Sequence, residues 1–199
     1  LVKYGFYYAA GFLVGAGVVT YLTNWYFAIP FFILAAFCLW FFRDPDREIP
    51  SGPVAVSPAD GKVVVVKPEN GGQRISIFLN VFDVHVNRTP IPGRVTDVRY
   101  QEGQFLVASK EEASHSNEQN TIVVEGPLGR VAFKQIAGLI ARRIICYKKT
   151  GDTVGLGERV GLIKFGSRVD VQLDLDWEIT VKVGERVSAG SSIIARKKS

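Results

Sequence analysis

Apolar residues follow two regimes along this chain. Residues 4–22 and 25–42 are nearly all apolar, with only Thr23-Asn24 between them. Each run is 18 to 19 residues long, close to the about 20 that a helix needs to cross a bilayer. Tyr7, Tyr8, Tyr21, Trp25, Tyr26, Trp40, Phe41 and Phe42 cluster toward the ends of the runs, as aromatics do at membrane interfaces. Gly11-Phe12-Leu13-Val14-Gly15 has the small-xxx-small spacing of closely packed membrane helices. Pro30 falls in the opening turns of the second run, where a proline is best tolerated. The pattern predicts a helical hairpin over 1–42 that spans, or is deeply embedded in, the lipid bilayer. Lys3 before it and Arg43 and Arg47 after it place both ends, and the domain that follows, on the cytoplasmic side of the cell membrane. A cleaved signal peptide is opposed by the second apolar run, and two soluble core helices by the long absence of charge.

The pattern changes at Arg43-Asp44-Pro45-Asp46-Arg47. Pro45, Pro50 and Pro53 stop any helix there, and a second domain is expected over 43–199. Short β-like segments follow at 62–67, 74–79, 93–100, 121–125 and 130–136. Between them lie Pro68-Glu69-Asn70-Gly71-Gly72, Pro90-Ile91-Pro92-Gly93 and Gly126-Pro127-Leu128-Gly129. One soluble helix is predicted at 107–116, opened by Ser109 with Glu112 as a capping box. A Gly-acid-x-Val repeat then occurs three times, at Gly151-Asp152-Thr153-Val154, Gly157-Glu158-Arg159-Val160 and Gly184-Glu185-Arg186-Val187. Each copy reads as a turn feeding a strand. The fold class is therefore mainly β, a compact barrel- or sandwich-like domain behind a helical hairpin.

Composition narrows the picture further. The net charge is +5. Residues 1–42 hold Lys3 and no acid, which leaves 23 basic and 19 acidic residues, or +4, for the remainder. No basic-aromatic stripe points to nucleic acid, and attraction to an anionic membrane surface fits better. Cys38 and Cys146 form neither a disulfide framework nor a metal spacing. A metal site, a Walker loop and a dinucleotide fingerprint are all missing from the sequence.

Candidate chemistry centres on Gly166-Ser167, where two apolar β-segments meet. Gly166 can take backbone conformations that a Cβ resists, and Ser167 places a hydroxyl next to a carbonyl open to strain. That pairing suits an N-to-O acyl shift, in which the Ser167 oxygen attacks the Gly166 carbonyl. Elimination and hydrolysis would leave a pyruvoyl group on the new N-terminus. Gly190-Ser191 offers the same dipeptide but leaves only nine residues after the cut, whereas cleavage before Ser167 leaves 33. Of the two histidines, His115 lies in a polar Ser-His-Ser-Asn stretch and reads as incidental. His85 sits between valines where a strand leaves the core. Asp60, taken alone, is an ordinary turn aspartate.

Four segments occur in order: Phe41-Phe42-Arg43-Asp44-Pro45-Asp46-Arg47, Ser57-Pro58-Ala59-Asp60-Gly61, Asp83-Val84-His85-Val86-Asn87-Arg88-Thr89-Pro90, and Gly161-Leu162-Ile163-Lys164-Phe165-Gly166-Ser167-Arg168-Val169-Asp170-Val171. Together they resemble the short form of the phosphatidylserine decarboxylase proenzymes, from about Phe41 onward. The resemblance implies autocatalytic cleavage into a 1–166 large chain and a 167–199 small chain that remain a heterodimer. It also implies a covalent pyruvoyl group derived from Ser167, and decarboxylation of phosphatidylserine or archaetidylserine to the ethanolamine phospholipid. By the same resemblance His85 is a catalytic histidine and Asp60 orients it toward Ser167, a nucleophile–base–orienter set. The family's second histidine is replaced here by Arg88, so His85 covers both roles, or water or Asp60 takes one. Arg88, Lys164, Arg168, Arg142 and Arg143 are candidates for the lipid phosphodiester, with a solvated surface as the plain reading of each. The competing reading is a membrane-tethered, non-catalytic biotinyl- or lipoyl-like domain. It is opposed by the absence of methionine and by Lys182, which reads as a strand interior rather than a hairpin tip.

Overall fold

The structure is a computed structural model of the 199-residue chain, described for residues 2–104, 106, 113–138, 143–164 and 166–198. It divides into two compact units, Leu1–Asp46 and Arg47–Ser199.

In the first unit, α1 (Lys3–Leu22) is 20 residues long and apolar enough to cross a bilayer. At 1.5 Å per residue it reaches about 30 Å, the thickness of the hydrocarbon core. The second run is not one long helix. Trp25–Ala28 winds as a 3-10 turn, and α2 covers only Ile29–Phe41. Pro30 sits in the first turn of α2, where its missing N–H costs nothing. Thirteen residues reach about 20 Å, short of a full crossing. The two helices close into a hairpin: the Val2 N–H donates to the Phe42 carbonyl at 3.0 Å, and the Tyr8 and Phe42 rings stack. Gly15 admits the Phe31 ring, whose carbons lie 3.1 Å from where a Cβ would stand, while Gly11 faces open space.

The second unit is mainly β, as its alternating pattern predicts. Its strands are β1 (Val54–Val56), β2 (Gly61–Glu69), β3 (Gly72–Leu79), β4 (Val86–Arg88), β5 (Gly93–Gln101), β6 (Gln119–Gly126) and β7 (Gly129–Ile136), then β8 (Ile144–Cys146), β9 (Thr153–Val154), β10 (Arg159–Ile163), β11 (Ser167–Asp174), β12 (Trp177–Ile179), β13 (Arg186–Val187) and β14 (Ile193–Lys197). An eight-stranded sheet, in the order β13-β2-β3-β11-β7-β6-β5-β9, curls into a half-barrel. Two three-stranded sheets, β4-β10-β8 and β1-β14-β12, complete the unit. Asn70-Gly71, both in the left-handed region (φ 51° and 73°), turn β2 into β3, as Asn-Gly does in tight hairpins. Of the predicted helix, only α3 (Ala113–Ser116) is described; 107–112, with the Ser109–Glu112 box, lies outside the described residues.

The Gly-acid-x-Val copies share one construction. Gly151, Gly157 and Gly184 all have positive φ, at 100°, 68° and 100°. In each turn the acidic side chain accepts the N–H three residues earlier: Asp152 from Lys149, Glu158 from Gly155, Glu185 from Lys182. Each turn then exchanges two backbone hydrogen bonds with a single residue elsewhere, Val95, Thr89 and Val63 respectively. The turns thereby pin β9, β10 and β13 to distant strands. Lys182 opens the third turn and is not inside a strand, because Gly184 and the Glu185 cap bend the chain there.

The core lies between the curled sheet and the smaller ones, with Ile75, Ile77, Phe133, Val169, Val171, Ile163 and Trp177 buried together. β11 is buried on both faces. Ser167, Val169, Val171 and Leu173 share one face and are each fully buried, while Arg168 and Asp170 are buried on the other.

Candidate active site

Ser167 opens β11 on the row that faces the apolar core, directly opposite Leu79 of β3. Its Oγ is buried and has no hydrogen-bond partner among the described residues. A hydroxyl in that setting forgoes its usual compensation, and it is free to act on a neighbouring atom. Gly166 before it has φ 51°. A Cβ at Gly166 would meet nothing within 4 Å, so it is the left-handed backbone, not crowding, that favours glycine there.

His85 sits immediately before β4, 2% exposed. Its Nδ1 lies 2.9 Å from the Asp83 main-chain carbonyl. A carbonyl only accepts, so Nδ1 carries a proton, and in the neutral tautomer this fixes, Nε2 is the basic nitrogen. The turn bearing that carbonyl is clamped by the Asp83 carboxylate: Oδ2 accepts the Asn80 N–H at 2.9 Å, and Oδ1 pairs with Arg186 of β13.

Two connections join the His85 and Ser167 segments. The Ile163 N–H, at the end of β10, donates to the His85 carbonyl at 3.3 Å, four residues before Ser167. From the other side, Leu79 faces Ser167 across the sheet and runs into the 80–83 turn that leads to His85.

Asp60 ends the loop before β2. Arg47 Nη2 donates to both of its oxygens at 2.9 Å, and the Ala189 N–H donates to Oδ1 at 2.8 Å. The loop is stitched to the strand that follows His85, because the Pro58 carbonyl accepts the Arg88 N–H at 2.9 Å. In this uncut chain the Asp60 carboxylate and His85 Nδ1 thus hold different partners. The backbone brings the three segments together, while Asp60 is held by Arg47 and His85 by Asp83.

The basic candidates divide sharply. Arg168 is fully buried and donates to Asp170 at 2.6 Å and Ser76 at 2.8 Å. Arg88 is buried and donates to the Gly157 carbonyl at 3.1 Å. Lys164 is also buried, and Arg143 is exposed. Arg142 and the side chain of His115 lie outside the described residues. Arg168 belongs to a polar cluster on the far face of β11, where Asp170 also takes Arg74 and the Ser114 hydroxyl. That cluster borders a cavity of about 210 Å³, also lined by Lys134, whose ammonium burial pushes below its ordinary pKa. Among the described residues no His, Cys, Asp and Glu side chains gather as a metal site.

Two residues in this arrangement escape a reading of the sequence. Arg47 reads as a charge ending an apolar run, and Arg186 as the variable position of a repeat. Their partners lie 13 and 103 residues away, and no local pattern announces either pairing.

A family model described as phosphatidylserine decarboxylase matches residues 34–195. The chain belongs to the phosphatidylserine decarboxylase family. A phosphatidylserine decarboxylase proenzyme of Solibacter usitatus is 66% identical over 197 residues, covering 99% of this chain and 97% of that one. One from Magnetococcus marinus is 44% identical, covering 98% and 94%, and one from Cupriavidus taiwanensis is 45% identical, covering 92% and 91%. The phosphatidylserine decarboxylase match covers β1 to β13 and the first three residues of β14, and does not favour a carrier-domain reading.

Proposed function

We propose that this chain is a self-cleaving, pyruvoyl-dependent decarboxylase that converts phosphatidylserine, or its archaetidylserine counterpart, to the ethanolamine phospholipid and carbon dioxide. The observation that carries the reading is the buried, unpartnered Ser167 hydroxyl behind a left-handed Gly166, in a chain of a proenzyme family.

Ser167 Oγ attacks the Gly166 carbonyl, and His85 Nε2 accepts the hydroxyl proton. Asp83 keeps the other imidazole nitrogen protonated, so one nitrogen is committed to basic work. Asp60 supplies the negative charge that favours the imidazolium, held in place by Arg47 and the Ala189 N–H. The Gly166–Ser167 peptide bond becomes an ester as the amine of Ser167 takes up the proton. Loss of the Ser167 α-proton then expels the Gly166 carboxylate. Water adds to the resulting dehydroalanine and releases ammonia, which leaves a pyruvoyl group at position 167.

The surroundings fit that group, since the start of β11 is fully buried on a core-facing row. A pyruvoyl ketone supplies an electron sink for the carboxylate's departing electrons. His85, beside it in the chain's backbone network, is the group to return a proton to the substrate carbon. The 1–166 and 167–199 pieces stay together, because β11 is hydrogen-bonded along its length to β3 and to β7. The apolar α1 holds the enzyme at the membrane where the lipid resides, with the catalytic unit on the cytoplasmic side, consistent with Lys3 and Arg43 at its flanks.

Intact mass under denaturing conditions tests this directly. Two fragments are expected, the smaller beginning at position 167 without an Edman-reactive amine, together with carbon dioxide release from carboxyl-labelled phosphatidylserine. A single uncut chain without activity would overturn the reading.

A further inference from the structure

An open, polar groove of about 420 Å³ lies beside the supports of the candidate site. Arg186 and Arg196 line it, with Thr180, Ser192, Val181 and Ile193. Its volume falls in the range of roughly 300–1,000 Å³ typical of small-molecule sites. Two of its lining residues are tied to the chemistry. Arg186 pairs with Asp83, whose carbonyl holds His85. Ser192 Oγ accepts the Ser188 N–H at 2.9 Å, next to Ala189, which holds Asp60.

We propose that this groove binds the phosphodiester of an anionic phospholipid, with Arg186 and Arg196 as its two cations. The inference rests on the decarboxylase reading and assigns its substrate-anchoring residues. Arg88 and Arg168, which the sequence suggests for this task, point inward to the Gly157 carbonyl and to Asp170 and Ser76. Arg196 is different: it is exposed and makes no ion pair or side-chain hydrogen bond among the described residues. Glu178, opposite it in register on β12, stays outside ion-pair distance. Arg186 keeps 61% of its side chain accessible despite its bond to Asp83. The one carboxylate in the groove, Glu185, is turned onto the Lys182 N–H. Guanidinium forks match phosphate oxygens better than any other side chain. Val181 and Ile193 add apolar wall suited to a glycerol ester, and Val183, 61% exposed on the adjoining turn, extends that surface outward. A free phosphate would use only the arginines.

The test uses full-length Ser167→Ala protein in detergent, titrated by calorimetry with dihexanoyl phosphatidylserine and, separately, with inorganic phosphate. The lipid should bind more tightly than phosphate, and Arg196→Gln should weaken lipid binding about tenfold. In the cleaved enzyme the same substitution should raise KM for phosphatidylserine about tenfold. Arg186→Lys, which keeps charge but loses the fork, should fall between the two. Unchanged lipid affinity and KM in Arg196→Gln would overturn the groove assignment, and phosphate binding as tight as lipid would overturn its lipid character. If the wild-type protein never decarboxylates yet Arg196→Gln still loses lipid binding, the function reading fails and the groove stands. Active enzyme indifferent to Arg196→Gln removes the groove alone.

Discussion

In the unit Leu1–Asp46, Tyr21 is 89% exposed and Tyr7 and Val14 are each 68% exposed, whereas in Arg47–Ser199 even Ser167 and Arg168 are fully buried. Both units are rich in apolar residues, but they are built for different surroundings. α1 and α2 turn aromatic and aliphatic side chains outward, which water disfavours and lipid accepts. The β unit packs its apolar rows inward and encloses charges as well, each matched to a partner, as with Arg168, Asp170, Arg74 and Ser114. The first unit therefore carries its apolar side chains on the outside, with α1 long and apolar enough to cross a bilayer. The second spends its sequence on holding a few polar groups in an interior where small displacements matter.

The sharpest way to probe this division is Ser167→Ala. It should abolish cleavage and turnover while the chain still reaches the membrane; gel analysis of membrane fractions would show one full-length band, and a normal two-chain product would sink the Ser167 assignment. Next in size is deletion of residues 1–46. It should release the β unit from membranes with cleavage retained, as read by sedimentation, and persistent attachment would mean that the β unit binds lipid by itself.

Packing gives a graded contrast. Phe133, 1% exposed in the core, should cost about 3–5 kcal/mol on replacement by alanine. Tyr21→Ala in α1 should leave the denaturant midpoint of the β unit unmoved. Arg47→Ala removes the Nη2 hydrogen bonds to both Asp60 oxygens and should slow self-cleavage about tenfold, measurable as a time course on gels. A rate equal to wild type would show that Asp60 needs no such support.

The smallest effect lies in a repeat turn. The Lys148 hydrogen bond, with the Gly155 N–H, holds the Glu158 carboxyl below its ordinary pKa. A lowered folded pKa means stability that is present above the unfolded value of 4.5 and is lost as pH falls through the folded one. Glu158→Gln should flatten that acid limb in pH-dependent melts. Because the side chain is 42% exposed, the loss at neutral pH should be about 0.5 kcal/mol or less.

Local physics made much of this molecule legible in one dimension. Long charge-free runs mark α1 and α2, and period-two alternation with Gly and Pro punctuation places β2, β3, β5, β6 and β7 within two or three residues of their observed bounds. The Gly-acid-x-Val copies announce three turns, since positive φ and a short carboxylate cap are properties of neighbouring residues. The order of four motifs also pointed to the family to which the chain belongs. The length of α2 was hidden, because an apolar run does not reveal where a proline will let the helix begin. The partners within the site were hidden for a deeper reason. Arg47 on Asp60, Arg186 on Asp83, and the inward turn of Arg88 and Arg168 join residues separated by 13 to 103 positions. Such pairings exist only once the sheet has closed, when burial forces each charge to find whichever partner the strands have brought alongside. Sequence determined which residues are able to do chemistry, and tertiary structure decided what each of them touches.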